Sequence, residues 1–582
     1  MQLLAYPRET AVLDGIWQAI PDQYEIYKNY FEDFAGEDVT VPKIYEPDSS
    51  RASDRPTDFN ITDGRSVRIP ASWGEELPEF RHFEGWVWYA TQFDRSLGAD
   101  DGRTFLRFGA VNYRAEVWLN GERVGTHEGG FTPFSFEVTD LLQEGTNDLV
   151  VLADNNRYED GIPNEATDWF NFGGINRSVE LVNVPNTFVR NFKIETTLSD
   201  GHVDIDVTAW VDGDPDGPVT VEIPALSVAT DLTTDGDSRF RGQVSLADSD
   251  VDLWHPAEPT LYTVRLRHGD DTVSDRVGFR EVTVNGSDVL VNGERVCLRG
   301  VSLHEEADGK GRALDSEAVR ERFDWLNELG CNYARLAHYP HTEEMARLAD
   351  EEGILLWEEV PAYWDIDFGD EGVRELYRQQ LRELIQRDWN RASVILWSIA
   401  NETDHTDATR NEVLPEMAEY VRDLDTTRLV TAACFVDERA DGLVLDDPLS
   451  AHLDVAGINE YYGWYYGDAA DMEQFQEQSD GTPIVVSEMG AGAKWGNHGS
   501  EDDRWTEEYQ AKIYREQIDA IADNDQIAGL SPWILFDFRA PFRQNEYQRG
   551  YNRKGIIDQH GRKKQAFDVL RRFYRSGKVP KS

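Results

Sequence analysis

Two glutamates stand where apolar runs stop. In "SVILWSIANET" an apolar stretch ends at Asn401-Glu402, and in "PIVVSEMGAG" another ends at Glu488. Either carboxylate alone could cap a neighbouring helix or pair with an arginine. Two of them at the ends of like elements suggest joint chemistry. A pair of carboxyl groups across a sugar ring is what glycosidic bond cleavage needs. One gives a proton to the leaving oxygen, and the other attacks C1 or activates water, depending on their separation.

The elements that must position such a pair can be traced along the chain. After "VGFREVTVNGSDVLVNGERVCLRGVSLHEEA" helical and apolar segments alternate. "SEAVRERFDWLNELG" reads as a helix with an N-cap at Ser316 and Gly330 at its end. "CNYARLAH", "ILLWEEV", "SVILWSIAN", "LVTAAC", "VAGINEYY", "PIVVSEMG" and "LSPWILFDF" read as strands. "HTEEMARLADEEG" and "VRELYRQQLRELIQRDWN" read as further helices. This alternation over residues 284–582 predicts a catalytic (β/α)8 TIM barrel, whose chemistry sits at the C-terminal ends of the strands. Residues 1–185 instead carry short alternating strands. Asn120-Gly121 in "WLNGERV" suits a type I′ hairpin turn, and the region reads as a jelly-roll β-sandwich. Residues 186–283 hold "HVDIDVTAWV", "GPVTVEIPAL", "SRFRGQVSL" and "LYTVRLRHG", which fit a small immunoglobulin-like β-sandwich.

The whole length resembles glycoside hydrolase family 2, and within it the β-glucuronidases. The resemblance lies in "RETAVLDGIW", "NYRAEVWLNGERVGTHEGGFTPFSFEVTD", "LHEEADGKGRALD", "ARLAHYPHTEEMARLADEEGILLWEEVP", "RDWNRASVILWSIANE" and "VVSEMGA". It implies a retaining, exo-acting glycosidase with Glu402 as general acid/base and Glu488 as nucleophile. Asn401 would bond the sugar 2-hydroxyl. By the same resemblance Asp168 in "TDWFNFGGINR" reaches the barrel mouth, and Tyr461 and Tyr465 in "NEYYGWYYGD" line it. His304 and His338 fall at site-lining positions, and Trp533 forms a wall for the sugar. Asn552 and Lys554 in "RGYNRKG" match the Asn-x-Lys that holds a sugar carboxylate, although Tyr551 and Arg553 depart from the family's pattern. In an extended segment residues two apart face the same way, so both side chains could meet one anion. A β-galactosidase of the same family and a non-catalytic carbohydrate-binding protein are the competing readings. The former would leave Lys554 without an anion, and the latter would not need both glutamates.

Composition narrows the setting. Against 57 Lys+Arg stand 110 Asp+Glu, a formal net charge of −53 spread along the chain. An even acidic coat suggests a protein adapted to a very salty cytoplasm, of halophilic archaeal type, and argues against nucleic acid or an anionic membrane as partner. The N-terminus shows no basic region followed by an apolar core, so no signal peptide is expected, and no apolar run has membrane-spanning length. Cys297, Cys331 and Cys434 read as buried free thiols. No His-x-x-x-His or Cys-x-x-Cys spacing points to a metal, and no cofactor is expected. The partner is a small-molecule or oligosaccharide glycoside. A homo-oligomer, dimer or tetramer, is implied by the resemblance alone.

Overall fold

The computed structural model describes residues 2–3, 8, 10–25, 64–98, 101–234, 236, 238–439, 442–475, 481–522 and 524–576. The first region packs a four-stranded antiparallel sheet (Thr10–Val12, Val179–Val184, Arg103–Phe108, Phe134–Glu137) on a six-stranded one. Trp17, Tyr89, Leu106, Phe108, Val117 and Val151 fill the space between them. The Asn120-Gly121 hairpin is present: both residues have positive φ, 54° and 84°, between Arg114–Leu119 and Glu122–Glu128. The second region is an antiparallel sandwich of seven strands. Val228–Thr234 pairs with a strand of each half and joins them around Phe192, Ile205, Val221 and Val264.

The third region is the barrel. Its strands are β1 (Leu298–Arg299), β2 (Ser302–Leu303), β3 (Tyr333–Leu336), β4 (Leu355–Glu359), β5 (Val394–Asn401), β6 (Leu429–Cys434), β7 (Val455–Asn459), β8 (Ile484–Glu488) and β9 (Ile527–Leu530). β1 and β2 are successive halves of one extended segment. β1 pairs in parallel with β9 and β2 with β3, so the sheet closes on itself. Helices α1 (Ser316–Leu329), α2 (Glu343–Glu352), α3 (Glu371–Asp388), α4 (Ala408–Leu424), α5 (Glu507–Ile521) and α6 (Gln565–Arg575) surround it. Both faces of β5 are therefore covered, and all eight of its residues are buried. That is why it reads as an unbroken apolar run rather than an alternating one.

Three local expectations are corrected. The N-cap of α1 is Asp315, whose carboxylate accepts from the Ala318 N–H; Ser316 is the first helical residue. Gly330 does close α1, in the left-handed region at φ 88°. The last barrel strand is Ile527–Leu530, not "LSPWILFDF": Pro532 has no N–H for a ladder, and the chain leaves the sheet there. Cys331 and Cys434 are buried free thiols, but Cys297 is only half-buried.

Candidate active site

The C-terminal ends of the barrel strands open into a cavity of about 560 Å³. Glu402 follows β5 and Glu488 ends β8, and both line it. Each carboxylate has both oxygens held. Glu488 Oε1 accepts from Arg335 Nη1 at 2.9 Å, and its Oε2 accepts from the Tyr461 hydroxyl at 2.6 Å. Glu402 Oε1 accepts from Asn459 Nδ2 at 2.8 Å, and its Oε2 from Trp364 Nε1 at 2.9 Å. Glu402 is also a non-glycine residue at φ 51°, a conformation that costs on the order of 1–3 kcal/mol and is kept where the surroundings enforce it. Its N–H donates to the Ala433 carbonyl of β6 at 3.1 Å.

The two environments differ in charge. Burial pushes the Glu488 carboxyl upward, Arg335 opposes it, and the nearby Glu402 adds to it, for a net rise. Glu402 has an indole and an amide for partners, and no cation among them. Arg335 is fully buried and ties the floor together. Besides Glu488 it donates to Glu359 at 3.1 Å and to Asn401 Oδ1 at 2.6 Å. Burial alone would raise the Glu359 carboxyl, but Arg335 and the His338 bond hold it down to about 2. His338 Nδ1 lies 2.9 Å from Glu359 Oε1, which turns Nε2 toward Glu488 at 3.7 Å. Asn401 Oδ1 is spent on Arg335 and Asn459, whereas its buried Nδ2 has no partner. A hydrogen-bond donor thus stands ready beside the carboxylate pair.

At the other end of the cavity Asp168 arrives from the first region. Arg543 grips it, with Nε at 2.8 Å from Oδ1 and Nη2 on Oδ2. Asn552 Nδ2 also donates to Asp168 Oδ2, at 3.1 Å. Lys554 Nζ donates to the Tyr465 hydroxyl at 2.6 Å and lies 4.8 and 4.7 Å from the ring centres of Tyr461 and Tyr465. Trp533 forms a wall, stacked on His338 at 4.8 Å between ring centres.

The cavity is lined by Glu402, Glu488, Asp168, His338, Tyr461, Tyr465, Trp533 and Lys554 among the residues singled out from sequence. His304, Asn401 and Asn552 are not among the residues that line it. His304 is buried against Tyr339, 3.1 Å from its hydroxyl, and burial drives its imidazole far toward the neutral form. Residues that sequence reasoning passed over are Arg335, Glu359, Tyr363, Trp364, Asn459, Glu460 and Arg543. Arg335 sits inside the quoted "ARLAH", where a charged residue interrupting a buried strand was the available signal. Cys434, a core thiol by sequence, also lines the cavity. Among the described residues no group of three or more His, Cys, Asp or Glu is arranged to hold a metal ion. No helix among them is long and apolar enough to cross a membrane.

A barrel with paired carboxylates at its mouth, behind two sandwiches, defines a class, and comparison places the chain in it. Residues 282–578 match the TIM barrel domain of the glycosyl hydrolases family 2, residues 13–185 its sugar binding domain, and residues 187–280 the domain described by the family name alone. The chain belongs to glycoside hydrolase family 2. It is 28% identical over 598 residues to the beta-glucuronidase of Paenibacillus borealis, covering 92% of this chain and 96% of that one. The structure of Bifidobacterium dentium beta-glucuronidase complexed with coumarin-3-O-glucuronide matches with a TM-score of 0.84 and 26% identity, over 99% of both chains. A GH2 beta-galacturonidase from Eisenbergiella tayi bound to galacturonate matches with a TM-score of 0.82 and 26% identity, over 100% of this chain and 99% of that one.

Proposed function

We propose that the protein is a retaining β-glucuronidase that removes terminal β-D-glucuronosyl groups from small-molecule or oligosaccharide glycosides. One observation carries the choice of sugar. Lys554 is 3% exposed, lines the cavity, and forms no ion pair among the described residues. A buried cation with only a phenol for a partner is costly, and a substrate carboxylate would supply its missing counter-ion. The β-glucuronidase relatives and the glucuronide-bound neighbour support the same reading.

In this reading the Glu488 carboxylate, oriented by Arg335 and Tyr461, attacks C1. The C1–O bond breaks as Glu402 gives its proton to the departing oxygen. Glu402 then takes a proton from water, the water oxygen bonds to C1, and Glu488 leaves as a carboxylate. Asn401 Nδ2 would bond the 2-hydroxyl and Trp533 would wall the apolar face. Asp168 would meet the hydroxyls beside the sugar carboxylate, and His338 would hold the floor beneath them. We further propose domain limits at 1–185, 186–283 and 284–582, a salty cytoplasm as the working medium, and a homo-oligomeric state.

The test is a panel of nitrophenyl β-glycosides in molar KCl: glucuronide, galacturonide, galactoside and glucoside. The glucuronide is expected to be turned over best, and Lys554→Ala to abolish its advantage over the neutral sugars. Preference for the galactoside would overturn the reading in favour of a β-galactosidase. Inactivity on the whole panel would point to a carbohydrate-binding protein.

A further inference from the structure

We infer that Trp364 is a positioning residue for proton donation: its indole N–H holds Glu402 Oε2 so that the carboxyl gives its proton only to the departing oxygen. The inference rests on the reading of Glu402 as general acid/base given above, and not on the choice of sugar.

The backbone is bent to make this contact. Trp364 follows β4 as Glu402 follows β5, and both are non-glycine residues in the left-handed region, at φ 56° and 51°. A bulky side chain at such a φ is a genuine outlier. The two turns lie side by side. Asn401 N–H donates to the Ala362 carbonyl at 2.9 Å, and Trp364 N–H donates back to the Asn401 carbonyl at 3.1 Å. Pairing between the two chains therefore runs on past the end of β4, to Tyr363 and Asn401, and stops where both chains turn. Each residue costs on the order of 1–3 kcal/mol in that conformation, and their side chains meet in the 2.9 Å bond from Trp364 Nε1 to Glu402 Oε2. Packing accounts for little of this. The Trp364 ring rests on Tyr363, 4.5 Å between centres, but it is only half-buried and borders both the catalytic cavity and a second one of about 400 Å³.

The donors around Glu402 leave its proton one exit. An indole nitrogen donates and cannot accept. Asn459 turns Nδ2 to Glu402 Oε1 and to Asn401 Oδ1, at 2.8 and 3.1 Å, while its Oδ1 accepts from the Ser487 hydroxyl at 2.7 Å. Neither partner can take a proton from the carboxyl, so a proton on Glu402 is held for a group in the cavity. The indole bond also strengthens as that proton leaves, because its acceptor changes from a neutral carboxyl to a carboxylate. An interaction stronger in the transition state than in the ground state speeds the step.

The experiment uses phenyl and 2,4-dinitrophenyl β-D-glucuronide in molar KCl and reads kcat/KM, which reports the first, bond-breaking step. A phenolate needs the proton in order to leave and a dinitrophenolate does not, so the phenyl-to-dinitrophenyl ratio measures proton donation. Trp364→Phe keeps a ring and loses the donor. Its ratio should fall by about 10- to 100-fold, the range of one hydrogen bond to a charged group. Trp364→Gln loses the ring and keeps an N–H donor, and its ratio should stay closer to wild type than that of Trp364→Phe. The reverse order, or a loss shared equally by both substrates, overturns the inference. If the wild type turns over neither glucuronide, the glucuronide reading fails, and the same ratio on the matching β-D-galactosides decides the role of Trp364. Inactivity on both sugars would remove the catalytic reading of Glu402 and this inference with it.

Discussion

Glu460 offers a test of the electrostatics that is independent of turnover. It follows β7, lines the cavity, and is 5% exposed. Its Oε2 accepts from the Tyr466 hydroxyl at 2.9 Å, and among the described residues no cation pairs with it. Burial is the main cause that pushes its carboxyl up, the Tyr466 bond opposes it, and the charge of Glu402 adds to it; the result is about 8. Below pH 4.5 the carboxyl is protonated whether the chain is folded or not. Between 4.5 and about 8 the unfolded chain gives up this proton while the folded protein keeps it, so the unfolded state gains. At about 1.4 kcal/mol per pH unit over that interval, the loss is on the order of 5 kcal/mol, complete once the pH exceeds the folded value. Glu460→Gln keeps the shape and an acceptor for Tyr466 but cannot titrate. The stability of the variant relative to the wild type should therefore grow steadily from pH 5 to pH 8 and level off above. Urea midpoints followed by tryptophan fluorescence at constant molar KCl measure this. Parallel curves for the two proteins across that range would mean the carboxyl ionises freely in the fold, and the desolvation argument would be wrong.

Other expectations follow from neighbouring contacts. Glu402→Ala and Glu488→Ala should each lower turnover by several orders of magnitude, and azide should rescue the Glu488 variant with inverted product, read by NMR of the released sugar. Tyr461→Phe removes one of two hydrogen bonds to Glu488, so kcat should fall by about 10- to 100-fold with the fold intact by circular dichroism. Lys564 is fully buried and ties Asp537 to the carbonyls of Ala493 and Arg553, just before Lys554; Lys564→Met should cost about 3–5 kcal/mol in denaturation experiments, because it leaves Asp537 with Arg553 as its remaining cation. Dialysis from molar to 0.1 M salt lengthens the screening distance from about 3 to about 10 Å. With a net charge of −53, the thermal midpoint should then drop, and an unchanged midpoint would remove the basis for calling the acidic coat a salt adaptation.

Sequence made the ends of strands legible and left the contacts between them hidden. Parallel barrel strands are covered on both faces, so the first charged residue after an apolar run marks the strand's C-terminal end. Glu402 and Glu488 stand out for that reason. Arg335 is as central to the site's geometry, yet its partners Glu359, Asn401 and Glu488 lie 24, 66 and 153 residues away, and no local pattern couples them. The N-cap of α1 slipped by one residue because Asp315 and Ser316 are both good caps, and only the geometry of the Asp315–Ala318 bond decides between them. "LSPWILFDF" is apolar because it packs the barrel mouth around Trp533 and Phe538, not because it is a strand.

The basic turn "RGYNRKG" shows how the same limit acts on electrostatics. Three cations in seven residues of so acidic a chain look alike on paper. In the fold each has a different fate. Arg549 donates to the Glu546 carbonyl at the surface. Arg553 pairs with Asp537 at 3.1 Å and stacks on Tyr551. Lys554 alone is buried without a carboxylate, despite the 110 acids available to the chain. Its neighbours in space are the rings of Tyr461 and Tyr465, with centres 4.8 and 4.7 Å from Nζ, and neither is a carboxylate. Keeping phenols there leaves the positive charge for something that comes from outside.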